Sequence, residues 1–351
     1  MSTRVPALVV DEPKAAFRAT MIERRSLRDD DVRIEIAYAG ICHSDIHQAR
    51  EEWGRASFPM VPGHEIAGVV SEVGPAVTRF SVGDRVGVGC MVDSCGECEQ
   101  CRAGHENFCE TRTVWTYNDT HPDGEPAYGG YSREIVVRDR FVVRVPAGLG
   151  LDVAAPLLCA GITTYNPLRR WGAGPGRRVA VVGMGGLGHL AVKIAVALGA
   201  EVTVLSQTLA KEADGRAFGA VDYRATADGS VFRDLRRSFD LILSTVSADL
   251  PLNRYLGMLR PFGVFVDVGL PERPQELSFG SLIAGDRVLA GSNIGGMPLT
   301  QEMLDFCAEH GIGASVETIS AGEVDAAYDR VVGSDVRYRF VIDVTTIQPT
   351  G

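Results

Sequence analysis

The stretch GICHSDIH, Gly40 to His47, gathers a thiol, two imidazoles, a hydroxyl and a carboxylate into the positions from Cys42 to His47. Groups of these types ligate metals, pass protons or simply pack, and their order alone does not separate the three. More ligand chemistry stands at VPGHEIAG, with His64 and Glu65, and at PLLCAGITTY, with Cys159. These stretches lie far apart, so any metal they share must be assembled by the fold.

CGECEQCRAGHENFC sets Cys95, Cys98, Cys101 and Cys109 at the spacing C-x2-C-x2-C-x7-C. Four thiolates on one short loop suit tetrahedral zinc, at Zn–S distances of about 2.3 Å, and leave no position open to a substrate. The expected role is structural. An iron–sulfur cluster is the rival for such thiolates, whereas a nucleic-acid zinc ribbon pairs two CxxC knuckles across a longer loop. In a reducing compartment, the eight cysteines of the chain point to metal or catalysis rather than to disulfides.

VAVVGMGGLGHLAVKIA carries G-x-G-x-x-G at Gly183, Gly185 and Gly188, between an apolar strand-like run and an apolar helix-like one. Glycines there permit a tight turn and close backbone approach, so that the helix N-terminus can face a pyrophosphate. An NAD site offers Asp or Glu about 20 residues on, for the ribose 2′-hydroxyl. Here Ser206, Gln207 and Thr208 occupy that place, at the end of the next strand-like run, EVTVLS. Hydroxyls accept a 2′-phosphate that a carboxylate would repel, and Lys211 supplies positive charge unless it is merely a solvated helix residue. NADPH is the expected cofactor.

The elements that must hold these groups change texture along the chain. Up to Gly150, VRIEIAYAG, EIAGVVSEVG, GDRVGVG and REIVVR read as short strands punctuated by Gly and Pro, an irregular β-rich domain. From Arg177, RRVAVVG, LGHLAVKIAVALGA, EVTVLS, LAKEADGRAFGA, DLILSTV and GVFVDVG alternate strand and helix, the signature of a parallel sheet with crossover helices. A helix is expected at PLTQEMLDFCAEHGI and a last strand at RYRFVIDV, but periodicity does not say which domain this tail joins. There is no internal repeat.

The length of 351 residues exceeds one ordinary core of about 100–150 residues, so two domains are expected. Thirty-five basic against 45 acidic residues give a net charge of −10, which works against binding nucleic acid or an anionic membrane. The N-terminal MSTRVPALVVDEP lacks a basic segment followed by a long apolar one, and a cytoplasmic location is expected. The apolar tract Val179 to Ala200 is broken by glycines, His189 and Lys193, so it is not read as a membrane span.

GICHSDIH, PMVPGHEIAGVV, VGDRVGVG, the four-cysteine loop, WTYND, YGGYS, LLCAGITTY, GMGGLGH, IGGMPLTQEMLDFCAEHGI and VRYRFVIDV follow one another over nearly the whole chain. In these motifs and their order the sequence resembles the zinc-dependent medium-chain alcohol dehydrogenases, and among them the cinnamyl alcohol dehydrogenase branch with its bacterial aldehyde reductases. The resemblance implies an α/β protein with a β-rich GroES-like catalytic domain over 1–155 and 296–351. A Rossmann domain, a doubly wound parallel sheet that binds NADP(H), is implied over 156–295.

Two zinc ions per chain are implied as well: a structural one at Cys95, Cys98, Cys101 and Cys109, and a catalytic one at Cys42, His64 and Cys159, with a fourth position open to water or substrate. Asp45 matches the carboxylate that orients the histidine ligand, and Glu65 stands next to that histidine as a second carboxylate able to approach the metal. Ser44 and His47 match the two ends of a proton relay through the cofactor ribose, a task that suits an imidazole because it titrates near neutral pH. On the cofactor side the resemblance sets His43, Thr163, Gly183, Gly185, Gly186, Leu187, Gly188, Ser206, Thr208 and Lys211. Trp53, Met91, Trp115, Asn293 and Ile294 are implied to line the substrate pocket.

The implied reaction is hydride transfer between nicotinamide and the carbonyl carbon of an aromatic, allylic or medium aliphatic aldehyde, with zinc as Lewis acid. The indole of Trp115 offers an aromatic substrate a broad apolar face. Plant members of the branch commonly carry an apolar or aromatic residue at the position of Asn293, and the amide here suggests a broader or more polar substrate. Reduction of an iminium or a conjugated alkene is the alternative on the same fold; retention of Ser44, His47 and all three zinc ligands favours the carbonyl. A homodimer is implied, paired through a sheet edge near GSNIGG, which would otherwise need protection.

Overall fold

The alternating run DVRIEIAYAG forms the strand Asp31–Gly40, with Val32, Ile34 and Ile36 turned into a core. In the computed structural model, which describes residues 2–271 and 273–349, this strand is the axis of the first of two compact units. That unit runs through Cys159 and resumes at Gly295; the second spans Ala160 to Ile294.

In the first unit the sheet order is Val143–Arg144, Arg85–Val88, Ile66–Val73, Asp31–Gly40, Arg339–Asp343 and Val316–Ser320, with Glu134–Arg138 also paired to the central strand. Neighbours are antiparallel except the last two, Val316–Ser320 and Arg339–Asp343. The C-terminal tail therefore returns to this unit, and Val341 pairs with Gly40, two residues before Cys42. A hairpin of Thr3–Val9 and Arg18–Arg24 packs its apolar residues into the same core. Helices here are short up to Gly150, as the sequence leads one to expect: His43–Ala49 has seven residues and Glu99–Arg102 four.

The second unit carries a six-stranded sheet ordered Asp222–Ala225, Glu201–Ser206, Arg178–Val182, Phe239–Ser244, Leu259–Asp267 and Val288–Gly291, every pair parallel. Numbered along the chain this is the order 3-2-1-4-5-6 of the doubly wound dinucleotide fold. Its central strands are apolar without alternation because both faces are covered, and Val179 to Val182 are all buried. The helix Gly188–Ala197 starts directly beyond the glycine turn. The α/β architecture expected from the sequence is thus the one observed. Among the described residues, no helix is long and apolar enough to cross a membrane.

Candidate active site

The central strand ends at Gly40 and delivers Cys42 as the N-cap of the helix His43–Ala49. Cys42 N–H donates to Asp45 Oδ2 at 2.9 Å, which closes a capping box and pins the thiol at the helix start. His64 and Glu65 lie just before the neighbouring strand Ile66–Val73, and Cys159 follows the 3-10 turn Ala155–Leu158. The fold brings these four together: one ligand atom from each of Cys42, His64, Glu65 and Cys159 lies within 4.8 Å of all the others, and all four residues are buried. Cys42 Sγ is 3.9 Å from Cys159 Sγ and 3.6 Å from Ser44 Oγ.

Each ligand-type side chain has its own brace. His64 Nδ1 faces Asp45 Oδ1 at 3.1 Å, and the imidazole lies over the Tyr117 ring at 5.7 Å and 15°. Glu65 Oε1 accepts from the Arg339 guanidinium, a fully buried ion pair. Its other oxygen, Oε2, is buried without a hydrogen-bond partner among the described residues. Gly40 makes room for that carboxylate, since a Cβ there would meet Oε2 at 2.0 Å.

The charges in this cluster compete. Sharing a proton with Cys159 holds the Cys42 thiol well below its ordinary value, with His64 adding to the pull, and the Cys159 thiol is driven correspondingly up. Burial favours a neutral His64, but the Asp45 carboxylate together with Cys90 and Cys42 outweighs it and raises the imidazole well above its usual value. Burial pushes the Glu65 carboxyl up to about 7 against the pull of Arg339. Two thiols and a carboxylate enclosed this closely cannot all ionise unaided. A divalent cation removes the conflict, and the soft thiolates, the imidazole and the orphaned oxygen form a donor set that fits zinc.

The second cluster is built differently. Cys95, Cys98, Cys101 and Cys109 also bring their sulfurs within 4.8 Å of one another, but on one loop near the surface. Backbone N–H groups point at the sulfurs: Cys98 N to Cys95 Sγ at 3.4 Å, Cys101 N to Cys98 Sγ, Glu110 N to Cys98 Sγ and Cys95 N to Cys109 Sγ, each at 3.5 Å. Such donors, from Glu97 and Cys98, lower the Cys95 thiol to about 6, whereas burial pushes Cys101 up to about 12. The loop is tied to the start of the helix Met297–Glu309, where Glu106 Oε2 accepts Met297 N–H at 2.9 Å.

In the second unit, Gly183 adopts φ +92°, and a Cβ on Gly188 would come within 2.1 Å of Gly183 O, so the turn and the helix close on each other only as glycines. A Cβ on Gly185 would meet nothing within 4 Å, leaving that backbone open to a ligand at the C-terminal end of the sheet. Gly186 and Leu187 are partly exposed beside it, and Ser206, Thr208 and Lys211 stand at or beyond the end of Glu201–Ser206 with no carboxylate among residues 206–211. The open cradle and the hydroxyls fit a phosphorylated dinucleotide. Thr163 is buried in the helix Ala160–Arg170.

The remaining expected residues fall as follows. His43 is exposed and Ser44 half-buried. His47 Nδ1 pairs with Glu52 Oε2 at 2.6 Å, and its ring stacks on Trp53 at 4.7 Å. Met91 is buried and lies opposite the exposed Trp115 in a two-stranded ribbon. Asn293 is exposed, while Ile294, at φ +31°, is buried. Sequence reasoning missed Glu52, Arg339, Tyr117 and Cys90, whose thiol faces Leu158 O at 4.0 Å, next to Cys159 in the chain. For Arg339 the signal is a charged side chain flanked by Tyr338 and Phe340 in the largely apolar run RYRFVIDV, which points to a buried partner.

Two metal-type clusters and a dinucleotide-type sheet in one chain define a metal-dependent dehydrogenase class. Residues 28–147 match the alcohol dehydrogenase GroES-like domain, and residues 186–309 match the zinc-binding dehydrogenase domain. The chain is 59% identical to the probable formaldehyde dehydrogenase AdhA of Bacillus subtilis, over 98% of each chain. It is 56% identical to NADP-dependent alcohol dehydrogenase C 1 of Mycolicibacterium smegmatis, over 99% of this chain and 100% of that one. The solved structure of CAD from Helicobacter pylori complexed with NADP(H) superposes with a TM-score of 0.93 at 40% identity, over 99% of this chain and 100% of that one. The chain belongs to the zinc-binding alcohol dehydrogenase family. Iminium or alkene reduction finds no support among these relatives.

Proposed function

We propose that the protein is an NADPH-preferring, zinc-dependent alcohol dehydrogenase that works mainly as a reductase of aromatic, allylic or medium aliphatic aldehydes. The observation that carries this reading is the buried cluster of Cys42, His64 and Cys159 with the orphaned Glu65 oxygen beside it. Residues 1–155 and 296–351 serve as the catalytic domain and 156–295 as the NADP-binding domain. Cys42, His64 and Cys159 hold one zinc, and Cys95, Cys98, Cys101 and Cys109 hold a second. When bound, zinc supplies Lewis acidity toward the substrate oxygen, and NADPH supplies the hydride.

The rest of the work belongs to side chains. Asp45 keeps His64 oriented through Nδ1. Ser44 Oγ, near the Cys42 sulfur, is placed to exchange a proton with the substrate oxygen, and His47, braced by Glu52, exchanges it with solvent. Backbone at Gly183, Gly185, Gly186, Leu187 and Gly188 receives the pyrophosphate; Ser206, Thr208 and Lys211 receive the 2′-phosphate, and His43 and Thr163 complete the cofactor side. Trp53, Met91, Trp115, Asn293 and Ile294 bound the substrate, with the Asn293 amide admitting polar aldehydes.

The edge strand Val288–Gly291 exposes Val288 and Leu289, and Phe279 and Ile283 are exposed close by in sequence. We read this edge as the contact of a homodimer in the cytoplasm. An initial-rate screen tests the reading: NADPH against NADH, over benzaldehyde, cinnamaldehyde, hexanal and formaldehyde, before and after metal removal. Turnover that persists without metal sinks the mechanism, and equal rates with NADH sink the cofactor preference.

A further inference from the structure

A chain of phenols reaches the buried imidazole from the far end of the sequence. Asp45 is fully buried, and its carboxylate oxygens meet donors from Cys42, Gly63, His64 and Tyr131. Oδ1 takes Gly63 N–H at 3.2 Å and lies 3.1 Å from His64 Nδ1; Oδ2 takes Cys42 N–H at 2.9 Å and the Tyr131 O–H at 3.3 Å. The Tyr131 oxygen in turn accepts the O–H of Tyr328 at 3.3 Å. Tyr131 comes from YGGYS and Tyr328 from the helix Val324–Val332, and both are buried.

The local backbone is shaped around these rings. Gly63 has φ +104°, and a Cβ there would stand 2.6 Å from the Tyr131 ring. Phe17 closes the other side, edge-on to Tyr328 at 5.3 Å and tilted on Tyr131 at 6.0 Å. The direction of the chain is forced. A carboxylate only accepts, so Tyr131 spends its hydrogen on Asp45 and its oxygen is left to accept from Tyr328. Burial keeps both phenols protonated, and each bond in such a series polarises the next.

We propose that Tyr131 and Tyr328 are positioning residues for the buried metal centre: their hydroxyls fix the Asp45 carboxylate, and through it the tautomer and orientation of His64, and so set how tightly the centre keeps its metal. With Nδ1–H held on Asp45, Nε2 is left as the ligating atom. Phenylalanine at either position would keep the ring and the packing but break the series. Tyr328 acts only through Tyr131, so the two effects are not additive.

This inference rests on the reading of Cys42, His64 and Cys159 as a zinc site, and the test separates the two. Zinc release from the as-purified holoenzyme to a chromophoric chelator is followed for the wild type, Tyr131→Phe, Tyr328→Phe, the double variant, Phe17→Leu and Cys42→Ser, with thermal unfolding in parallel. Expected are releases about tenfold faster for Tyr131→Phe and about threefold faster for Tyr328→Phe, with the double variant no faster than Tyr131→Phe alone, since partners beyond the ligands typically govern metal affinity by 10–100-fold. Phe17→Leu lowers the unfolding temperature without speeding release. Wild-type release rates in both tyrosine variants overturn the inference, as does acceleration in Phe17→Leu in proportion to lost stability, which would mark packing alone. If the wild type releases no metal that Cys42→Ser lacks, the zinc-site reading itself fails.

Discussion

The two ligand clusters differ in how much of the chain must fold before each exists. The four-cysteine loop takes every ligand from between Cys95 and Cys109 and aims backbone N–H groups at its sulfurs. The buried cluster takes Cys42, His64 and Cys159 from distant segments and braces them with a carboxylate, a guanidinium and phenols. A local cluster of four thiols would saturate a bound zinc and leave it a structural role. An assembled one, with two thiols, an imidazole and an uncommitted carboxylate oxygen, would leave a bound zinc a position for chemistry.

The sharpest way to break this contrast is to remove one ligand from each side. Cys159→Ser or His64→Ala is expected to cut aldehyde reduction by about 10³-fold while far-UV circular dichroism stays unchanged, because Lewis-acid assistance is worth several kcal/mol of barrier. Arg339→Met attacks the bracing instead. Leaving Glu65 enclosed without its partner should cost about 3–5 kcal/mol, read from urea unfolding. Cys98→Ser should lower the unfolding temperature by roughly 5–10 °C and halve the zinc content, yet leave the rate per folded molecule within about threefold of the wild type. The smallest effect is expected for Glu106→Ala, which removes the acceptor for Met297 N–H. It should cost about 1 kcal/mol, seen as a shift of a few degrees, with activity unchanged. If Cys98→Ser abolished activity in a folded protein, or Cys159→Ser left it intact, the division of labour between the clusters would be wrong.

Legibility in the sequence follows the same division. The cysteine spacing, the glycine turn and the strands VRIEIAYAG and EVTVLS speak for themselves, because each depends on neighbours along the chain. The parallel order of the sheet follows from alternating strands and helices. The bracing of the buried cluster was not legible, since Arg339, Tyr131 and Tyr328 gain meaning only from what packs against them. Glu52, one of two adjacent acids in EEWG, gains its meaning only where the fold sets it against His47. Which domain the tail joins was likewise hidden from periodicity; the family resemblance implied it, and the pairing of Val341 with Gly40 shows it.

That pairing bears on how the protein is made. Ile41 N–H donates to Phe340 O at 2.9 Å, and Glu65 is paired with Arg339, so residues early in the sequence wait for partners made much later. At a synthesis rate of about 5–20 residues per second, the second unit, one continuous stretch from Ala160 to Ile294, is complete seconds before that closure becomes possible. The cysteine loop, local and early, can capture metal during that interval. The buried cluster, by contrast, cannot be closed before Arg339 and Phe340 have been made.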